Sequence, residues 1–196
     1  MNNRLGVFLA VLGLAGTVIA PYGAAQAPAM QKGIHLELPV TSHAVPMPDA
    51  DRSDALIVAI TARGAVYFGI TPVSPDGLAE KVKSALSSDT AARVYVKGDA
   101  RTPYARVEEV LDALRTAAVD ATALLTSQRD SSDNGSFMPP KGLAVRIGPS
   151  SPRLQDGSDK VVQVNAGGQL PFGDVVHVID VCRSAGAKIF LVTPGM

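Results

Sequence analysis

The chain has 196 residues, of which 46% are hydrophobic and 18% are charged; this composition can supply the core of one medium domain or two small ones and excludes an intrinsically disordered protein. Lys and Arg number 18 and Asp and Glu also number 18, so a net charge of zero gives no electrostatic basis for nucleic-acid binding. Cys182 is the single cysteine, so the chain cannot close an internal disulfide in an oxidising compartment.

Residues 1–27 are predicted to be a secretory signal peptide. Arg4 gives a positive start, residues 5–20 form an uncharged apolar run, and Pro21 interrupts it. Ala25 and Ala27 form an A-x-A site, which predicts cleavage after Ala27. The alternative is a short membrane anchor, which would need about 20 apolar residues and would therefore have to extend past the proline. Either alternative places the rest of the chain outside the cytoplasm, in the periplasm or on the inner membrane facing it.

Residues 28–52 are predicted to be an extended segment followed by a linker. Residues 33–39 alternate apolar and polar side chains, which is typical of a short edge strand, and Pro39 would end it. Residues 41–52 contain Pro, Ala and Asp and indicate a linker. The extended segment can either add to a sheet edge of a partner chain or tether its own domain. The predicted partner-binding residues here are Ile34, Leu36, Leu38 and Pro39.

Residues 53–126 are predicted to form a small α+β unit in the order ββαβαβ, with helices on one face of a mixed sheet. The first two strands form a hairpin, in which Gly64 is available for a turn with positive φ. Ser74 and Pro75 favour the start of a helix that ends near Ser87, because Ser caps free N–H groups and Pro suits the first turn. The predicted strands are residues 55–60, 65–69, 93–96 and 121–126, and Thr102-Pro103 begins a second helix with Tyr104, Val107, Val110, Leu111 and Leu114 facing inward.

A polar linker at residues 127–140 precedes residues 141–196, which are predicted to form a second, abbreviated βαβ-type unit. A loop at residues 148–159 replaces the first helix of the preceding unit. Gly186 stands where a glycine commonly ends a helix. The predicted strands are residues 143–147, 161–164 and 189–193, and Pro171 begins a helix with Phe172, Val175, Val178, Ile179 and Cys182 on one face.

The two units match each other at a shift of 68 positions, over a strand, a helix and a strand. Any two βαβ segments share apolar spacing, but the shared Pro, Asp and Arg residues favour a true internal repeat. The matching pairs include Pro103 and Pro171, Tyr104 and Phe172, Val107 and Val175, Asp112 and Asp180, and Arg115 and Arg183. We predict that the residues that begin the two helices contact a partner: Pro103, Tyr104, Pro171 and Phe172.

Each helix of the repeat carries an aspartate followed three residues later by an arginine, Asp112 with Arg115 and Asp180 with Arg183. This spacing places the two side chains on the same helix face. The pairs are either solvated ion pairs, each of which stabilises its helix by about 0.2–0.5 kcal/mol, or charge pairs that face a partner.

No enzyme, metal site or cofactor is predicted from the remaining residues. Cys182 lies on an apolar helix face and is expected to be a buried thiol. His35, His43 and His177 are scattered and lack the spacing of zinc ligands. Residues 166–168 bring two glycines before a helix, but no P-loop lysine follows.

Three stretches of the chain resemble the ExbD/TolR family of bacterial envelope energy-transduction proteins. They are Gly-Ile-His-Leu-Glu-Leu-Pro at 33–39, Val-Tyr-Phe-Gly with the following Pro-Val-Ser within 66–74, and Thr-Pro-Tyr with Val-Leu-Asp-Ala-Leu-Arg within 102–115. They occur in the family's order and spacing. The resemblance covers residues 30–126 and, more loosely, residues 141–193.

The resemblance implies an inner-membrane helix followed by a periplasmic domain that dimerises. It also implies a membrane partner, ExbB or TolQ, in a complex that uses the proton gradient to act on TonB or on the Tol–Pal system. TolR-type domains are further associated with peptidoglycan. In this chain the two tandem units could take the place of the family's homodimer.

One departure from the family concerns the proton-handling aspartate of its membrane helix. Residues 1–36 contain no Asp or Glu, and a proton relay in a membrane needs a titratable group. The chain is therefore expected not to translocate protons itself. Two hypotheses remain open, a periplasmic interaction module and a membrane-anchored accessory subunit of a proton-driven motor; an unrelated periplasmic binding module is a weaker third.

Overall fold

The computed structural model describes residues 34–88, 93–128, 139–148 and 160–193. In these ranges ten strands form one mixed sheet and three α-helices accompany it, which confirms the predicted α+β class. The predicted signal or anchor, with Ala25 and Ala27, lies outside the described residues, as do the centre of the 127–140 linker and most of the 148–159 loop. None of the described helices has the length and apolar character to cross a membrane.

The helices and strands largely follow the predicted order, with two short strands and a 3-10 helix added before the first hairpin and one more strand added after it. The first part contains β1 (Val40–Thr41), β2 (Val45–Pro46), a 3-10 helix (Pro48–Asp51), β3 (Leu56–Ile60), β4 (Val66–Phe68), β5 (Thr71–Val73), α1 (Pro75–Ser88), β6 (Val94–Gly98), α2 (Tyr104–Thr116) and β7 (Ala121–Gln128). The second part contains β8 (Lys141–Gly148), β9 (Val161–Val164), α3 (Phe172–Ser184) and β10 (Lys188–Val192).

The two units are halves of one continuous sheet. Its strand order is β5-β4-β3-β6-β7-β8-β10-β9, with β1 paired to β7 and β2 paired to β8. The halves join where β7 runs antiparallel to β8, and Leu124 lies opposite Leu143 in that ladder. Within each half the strands that belong to the predicted repeat are parallel, β6 with β7 and β9 with β10. Because the sheet is shared, neither half has a separate core.

All three helices contribute to the core on one face of the sheet, as the apolar spacing predicts. Leu78, Leu111 and Ile179, one from each helix, are fully buried in the same cluster as strand residues of both halves. The other face carries a smaller cluster of Met47, Ala50, Tyr95, Ala123 and Leu125. Residues 41–52 were predicted to be a linker, but their 3-10 helix covers this second face, because Met47 and Ala50 are apolar and find apolar strand residues there.

Local backbone signals explain several element boundaries. The Ser74 hydroxyl accepts a hydrogen bond from the Gly77 N–H at 3.2 Å and caps α1. Gly64 has a φ of 79° in the hairpin turn, and Gly186 has a φ of 76° after α3. Ala118, which is 68 positions before Gly186, also has a positive φ, of 63°. The two helices of the predicted repeat, α2 and α3, therefore end with the same left-handed turn, although α2 lacks the glycine that favours it.

One inward position of the third helix was predicted wrongly. Val178 is 51% exposed, whereas Val176 is fully buried. The counterpart of Val178 in the first unit, Val110, is fully buried because α1 packs against α2. The described part of the second unit has no helix corresponding to α1, so the same face of α3 stays open to solvent.

The predicted edge strand at residues 33–39 is also displaced. Residues 34–39 have no strand pairing, and the paired residues of β1 begin at Val40, directly after Pro39. Pro39 lacks an N–H, but its carbonyl accepts a hydrogen bond from Ser127 N at 2.9 Å. The proline therefore begins the pairing with β7 instead of ending it.

Candidate functional site at the junction of the two units

The loops that precede α2 and α3 meet at the junction of the two halves. Pro103 and Pro171 form an isolated antiparallel bridge. Beside it the Tyr104 N–H donates to the Leu170 carbonyl at 2.8 Å, and the Phe172 N–H donates to the Thr102 carbonyl, also at 2.8 Å. At the shift of 68 positions residue 104 matches residue 172, and residue 102 matches residue 170. The two hydrogen bonds are therefore one contact made twice.

A second pair of hydrogen bonds repeats this exchange one step further out. The Ala105 N–H donates to the Gly168 carbonyl at 2.9 Å, and the Gly173 N–H donates to the Ala100 carbonyl at 2.8 Å. These four residues again correspond in pairs at the shift of 68. The junction therefore has local twofold pseudosymmetry, the arrangement of an isologous dimer interface within a single chain.

Two glycines lie where the two backbones approach closely at the junction. A Cβ at Gly168 would lie 2.9 Å from the Ala105 Cβ, and a Cβ at Gly173 would lie 3.2 Å from the Ala100 Cβ. Both contacts involve residues that correspond in the repeat. Small residues on both sides let the loops come within hydrogen-bonding distance.

The four predicted partner-binding residues at the helix starts divide into two kinds. Pro103 and Pro171 are exposed and lie next to each other on the surface of the junction. Tyr104 and Phe172 are 0% and 1% exposed, so their side chains belong to the core and have no surface to offer a partner. A Cβ at Gly98 of β6 would lie 2.7 Å from the Phe172 Cε1, which places this ring of the second unit directly against the first.

Exchanging the hydroxyl between the two aromatic rings should change stability in opposite directions. The Tyr104 hydroxyl is buried without a hydrogen-bond partner in the described part of the chain, and burial raises its pKa far above the ordinary value. Tyr104→Phe should therefore leave the free energy of unfolding unchanged or raise it by up to about 1 kcal/mol, and Phe172→Tyr should lower it by about 1–3 kcal/mol. Urea denaturation measures both; a loss of 1 kcal/mol or more in Tyr104→Phe would show that the hydroxyl has a partner.

The N-terminal segment predicted to bind a partner lies along this same junction. The Glu37 N–H donates to Asp99 Oδ2 at 3.1 Å, and the Glu37 carbonyl accepts from the Ala100 N–H at 2.7 Å. Leu36 is buried, while Ile34 and Leu38 are half-buried. These contacts favour the alternative in which the segment tethers its own domain.

The same segment is held further along by the helix of the second unit. Asp180 on α3 accepts hydrogen bonds from the Ser42 N–H at 2.8 Å and the His43 N–H at 2.9 Å, and His43 Nδ1 lies 3.3 Å from its carboxylate. The Asp180 side chain is 7% exposed, so it is not a solvated partner of Arg183. Its counterpart Asp112 accepts a hydrogen bond from Arg115 Nε at 3.0 Å. Of these two matching aspartates, Asp112 thus binds a side chain of its own helix, and Asp180 binds the N-terminal segment.

Two buried carboxylates of this region have lowered pKa values. The Arg101 side chain, which donates to Asp99 at 2.9 Å from both Nε and Nη2, lowers the pKa of Asp99 to about 2 despite its burial. Burial raises the pKa of Asp180, but hydrogen bonds from Ser42 and His43 outweigh it and leave the pKa below its ordinary value. Both carboxylates are therefore charged acceptors of backbone N–H groups at neutral pH.

The reactive side chains of the described residues lie apart. Those residues contain no group of three His, Cys, Asp or Glu side chains that could hold a metal ion. Cys182 is half-buried on α3. An open cavity of about 340 Å³ lies between the β4–β5 hairpin, the start of α1 and Arg106. The distinctive feature of this part of the molecule is thus the junction and the chain segment bound to it.

A protein-family model matches the chain. The family described as Biopolymer transport protein ExbD/TolR matches residues 24–129, more than half of the sequence. This range includes the tethered N-terminal segment and continues through β7. No curated protein matches the chain significantly.

Proposed function

We propose that this chain, which belongs to the ExbD/TolR family of biopolymer transport proteins, is a periplasmic interaction module of a Ton/Tol-type energy-transduction system. Membership of the family supports a role in biopolymer transport at the cell envelope. The single observation that carries the more specific proposal is the reciprocal hydrogen bonding at the Pro103–Pro171 junction.

In this proposal the second unit takes the place of a second subunit. The two pairs of exchanged hydrogen bonds have the geometry that two copies of one domain would make around a twofold axis. Because β7 and β8 also join the halves in one sheet, the chain can present a dimer-like surface without dimerising. We therefore expect the exported chain to be a monomer in sedimentation.

The proton-carrying step is assigned to other subunits of the complex. Residues 1–36 contain no carboxylate, and a membrane proton relay needs one. An ExbB- or TolQ-like membrane protein together with other ExbD/TolR copies would provide that step. This chain would contact the complex, a TonB- or Tol-type protein, or peptidoglycan through exposed residues of its periplasmic part.

Maturation at the N-terminus decides between a free module and an anchored subunit. Cleavage after Ala27 would release a soluble periplasmic protein beginning at Pro28, whereas an intact N-terminus would keep the chain in the inner membrane. The intact mass in soluble and membrane fractions distinguishes the two outcomes. Both forms would contain the tether at residues 34–43, which Asp99 and Asp180 bind through backbone N–H groups.

The proposal is tested by crosslinking from the junction in the native host. A photo-crosslinking amino acid at position 103 or 171, both exposed at the bridge, should capture an ExbB/TolQ-like or TonB/Tol-type protein. The matched control carries the crosslinker at position 84, which is exposed on α1. Equal products from all three positions, or products without any protein of these classes, would count against the proposed role. A homodimer formed through the junction would contradict the monomeric arrangement.

A further inference from the structure

The second unit leaves open a strand edge that its counterpart covers. β6 lies between β3 and β7 in the sheet, whereas β9, its counterpart in the repeat, has β10 as its sole neighbour among the described strands. β3 runs parallel to β6, with Leu56 opposite Val94 and Val58 opposite Val96. At the shift of 68 positions, Val94 and Val96 match Val162 and Val164. A strand added at the open edge could therefore pair with β9 in the register with which β3 pairs with β6.

The backbone groups on this edge can be identified from the pairing on the other side. The Lys160 carbonyl accepts from the Lys188 N–H at 2.7 Å, so the backbone of residue 160 faces β10. Backbone groups alternate direction along a strand. Those of Val162 and Val164 therefore also face β10, and those of Val161 and Gln163 face the open edge.

The helix above this edge is apolar and open on the same side. Val178 and Val181 on α3 are 51% and 53% exposed. Their counterparts on α2 are Val110, which is fully buried, and Ala113, which is half-buried. In the first unit α1 covers that face and also contacts β4, beyond the outer edge of β6. The exposed valines therefore lie on the side of the free β9 edge.

The two ends of the sheet differ in how they are protected against pairing. β5 at one end contains Pro72, which cannot donate a backbone hydrogen bond. β9 at the other end reads Val-Val-Gln-Val and contains no proline, glycine or charge. Native sheets usually protect their edges with such residues. The β9 edge lacks such residues and lies beside two exposed valines, as expected of a surface that binds another strand.

We propose that the β9 edge together with Val178 and Val181, here called the β9–α3 surface, binds an extended segment of a partner protein as an added parallel strand. The pairing of β3 with β6 defines the chemistry of that segment. It carries apolar side chains at alternate positions. These side chains lie on the face of the sheet that the helices cover, next to Val162 and Val164. In a parallel pair its amino-terminal end lies beside the exposed Lys160, where a carboxylate is favoured, as Asp54 precedes β3. The inference goes beyond the proposed function and holds whether or not the chain joins a Ton/Tol-type complex.

A peptide derived from the first unit provides the probe. A fluorescent peptide with the sequence of residues 54–61 and a lysine tail for solubility is titrated with the full exported chain, and its anisotropy is measured. We expect saturable binding that Gln163→Pro weakens about tenfold or more, because the proline removes an N–H at the open edge and leaves the β10 pairing intact. Gln163→Ala, which keeps that N–H, should bind within about twofold of the wild type.

The helix side of the surface is tested by a second variant. Val178→Lys combined with Val181→Lys changes positions that are already exposed, so the fold should persist even if Gln163→Pro does not fold. This variant should also weaken binding about tenfold. Absence of saturable binding, or equal binding by the proline, alanine and lysine variants, would overturn the proposal. A wild-type dimer that Gln163→Pro dissociates would overturn it in favour of a second copy of the chain.

Discussion

Replacing Phe172 by alanine is expected to lower the free energy of unfolding of the whole chain by about 3–5 kcal/mol, the usual loss for a buried Phe→Ala substitution. The ring is 1% exposed and belongs to the second unit, yet it lies against Gly98 of the first. The described tyrosines are all in the first unit, at positions 67, 95 and 104. Tyrosine fluorescence during urea denaturation therefore reports how a substitution in one half affects the other.

A single transition shifted to lower urea would show that the halves unfold together. Tyrosine fluorescence that keeps its wild-type midpoint, while circular dichroism shows an earlier transition, would contradict the shared core. Leu170→Ala serves as the control, because this residue is in the same loop but is 46% exposed, and its effect should stay within about 0.5 kcal/mol.

The contact between the Phe172 ring and Gly98 of β6 can be isolated by a double-mutant cycle. Gly98→Ala should cost about 1–3 kcal/mol, since the new Cβ would overlap the Phe172 ring. Phe172→Leu should relieve part of that overlap, so the double variant should lose less than the sum of the single losses. Additive losses would show that Gly98 and Phe172 do not interact across the junction.

The sequence predicted those parts of the fold that depend on local periodicity. The inward residues of α2, among them Val107, Val110 and Leu114, are all fully buried, because helical spacing alone selects one face. The cap at Ser74 and the left-handed turn at Gly186 follow from the chemistry of single residues. Such signals depend on residues within one or two helical turns of each other, and the structure confirms these predictions.

Features that depend on contacts between distant segments were not predictable in the same way. Val178 matches the inward spacing of α3 but is exposed, since no described helix covers it. The repeat singled out Tyr104 and Phe172 as partner contacts, yet both are buried where the halves meet. Matching positions in an internal repeat are explained equally well by contact between the repeated units. Sequence alone could not choose, because a local pattern does not say which element lies opposite.

The tether along the junction could not be predicted from the sequence for a different reason. An aspartate that accepts backbone N–H groups has no sequence partner to reveal it, because any residue supplies the donor. Asp180 and Asp112 therefore looked equivalent, each with an arginine three residues later. In the structure Asp180 holds Ser42 and His43, and Asp112 holds Arg115. The sequence does not show which segment lies beside each aspartate, and that is what distinguishes them.

Acidification is expected to weaken the tether at both ends. The pKa of Asp99 is lowered from 3.8 to about 2, and that of Asp180 is also lowered from 3.8. A carboxyl whose folded-state pKa lies below its unfolded value stabilises the fold fully above the unfolded pKa. That contribution disappears as the pH falls through the folded pKa. For Asp99 the loss between about pH 5 and pH 1 should amount to about 2 kcal/mol.

Amide NMR resonances measure this release at the residues involved. The Glu37 amide should shift with a midpoint near the Asp99 pKa of about 2, and the Ser42 and His43 amides should follow Asp180, with a midpoint below 3.8. At neutral pH, Asp180→Ala should move the Ser42 and His43 amides towards solvent-exposed positions and lower the free energy of unfolding by about 1.5–3 kcal/mol.

Asp112→Ala is the matched control for the tether. It removes the repeat counterpart on α2, which hydrogen-bonds to Arg115 and not to the N-terminal segment, so it should leave the Ser42 and His43 resonances in place. If the resonances moved equally in both variants, the two aspartates would be acting through the sheet as a whole. If they moved in Asp180→Ala alone, α3 of the second unit would be the anchor of the segment that leads to the N-terminus. A mechanical force on that segment would then be transmitted through α3 to the second half of the sheet.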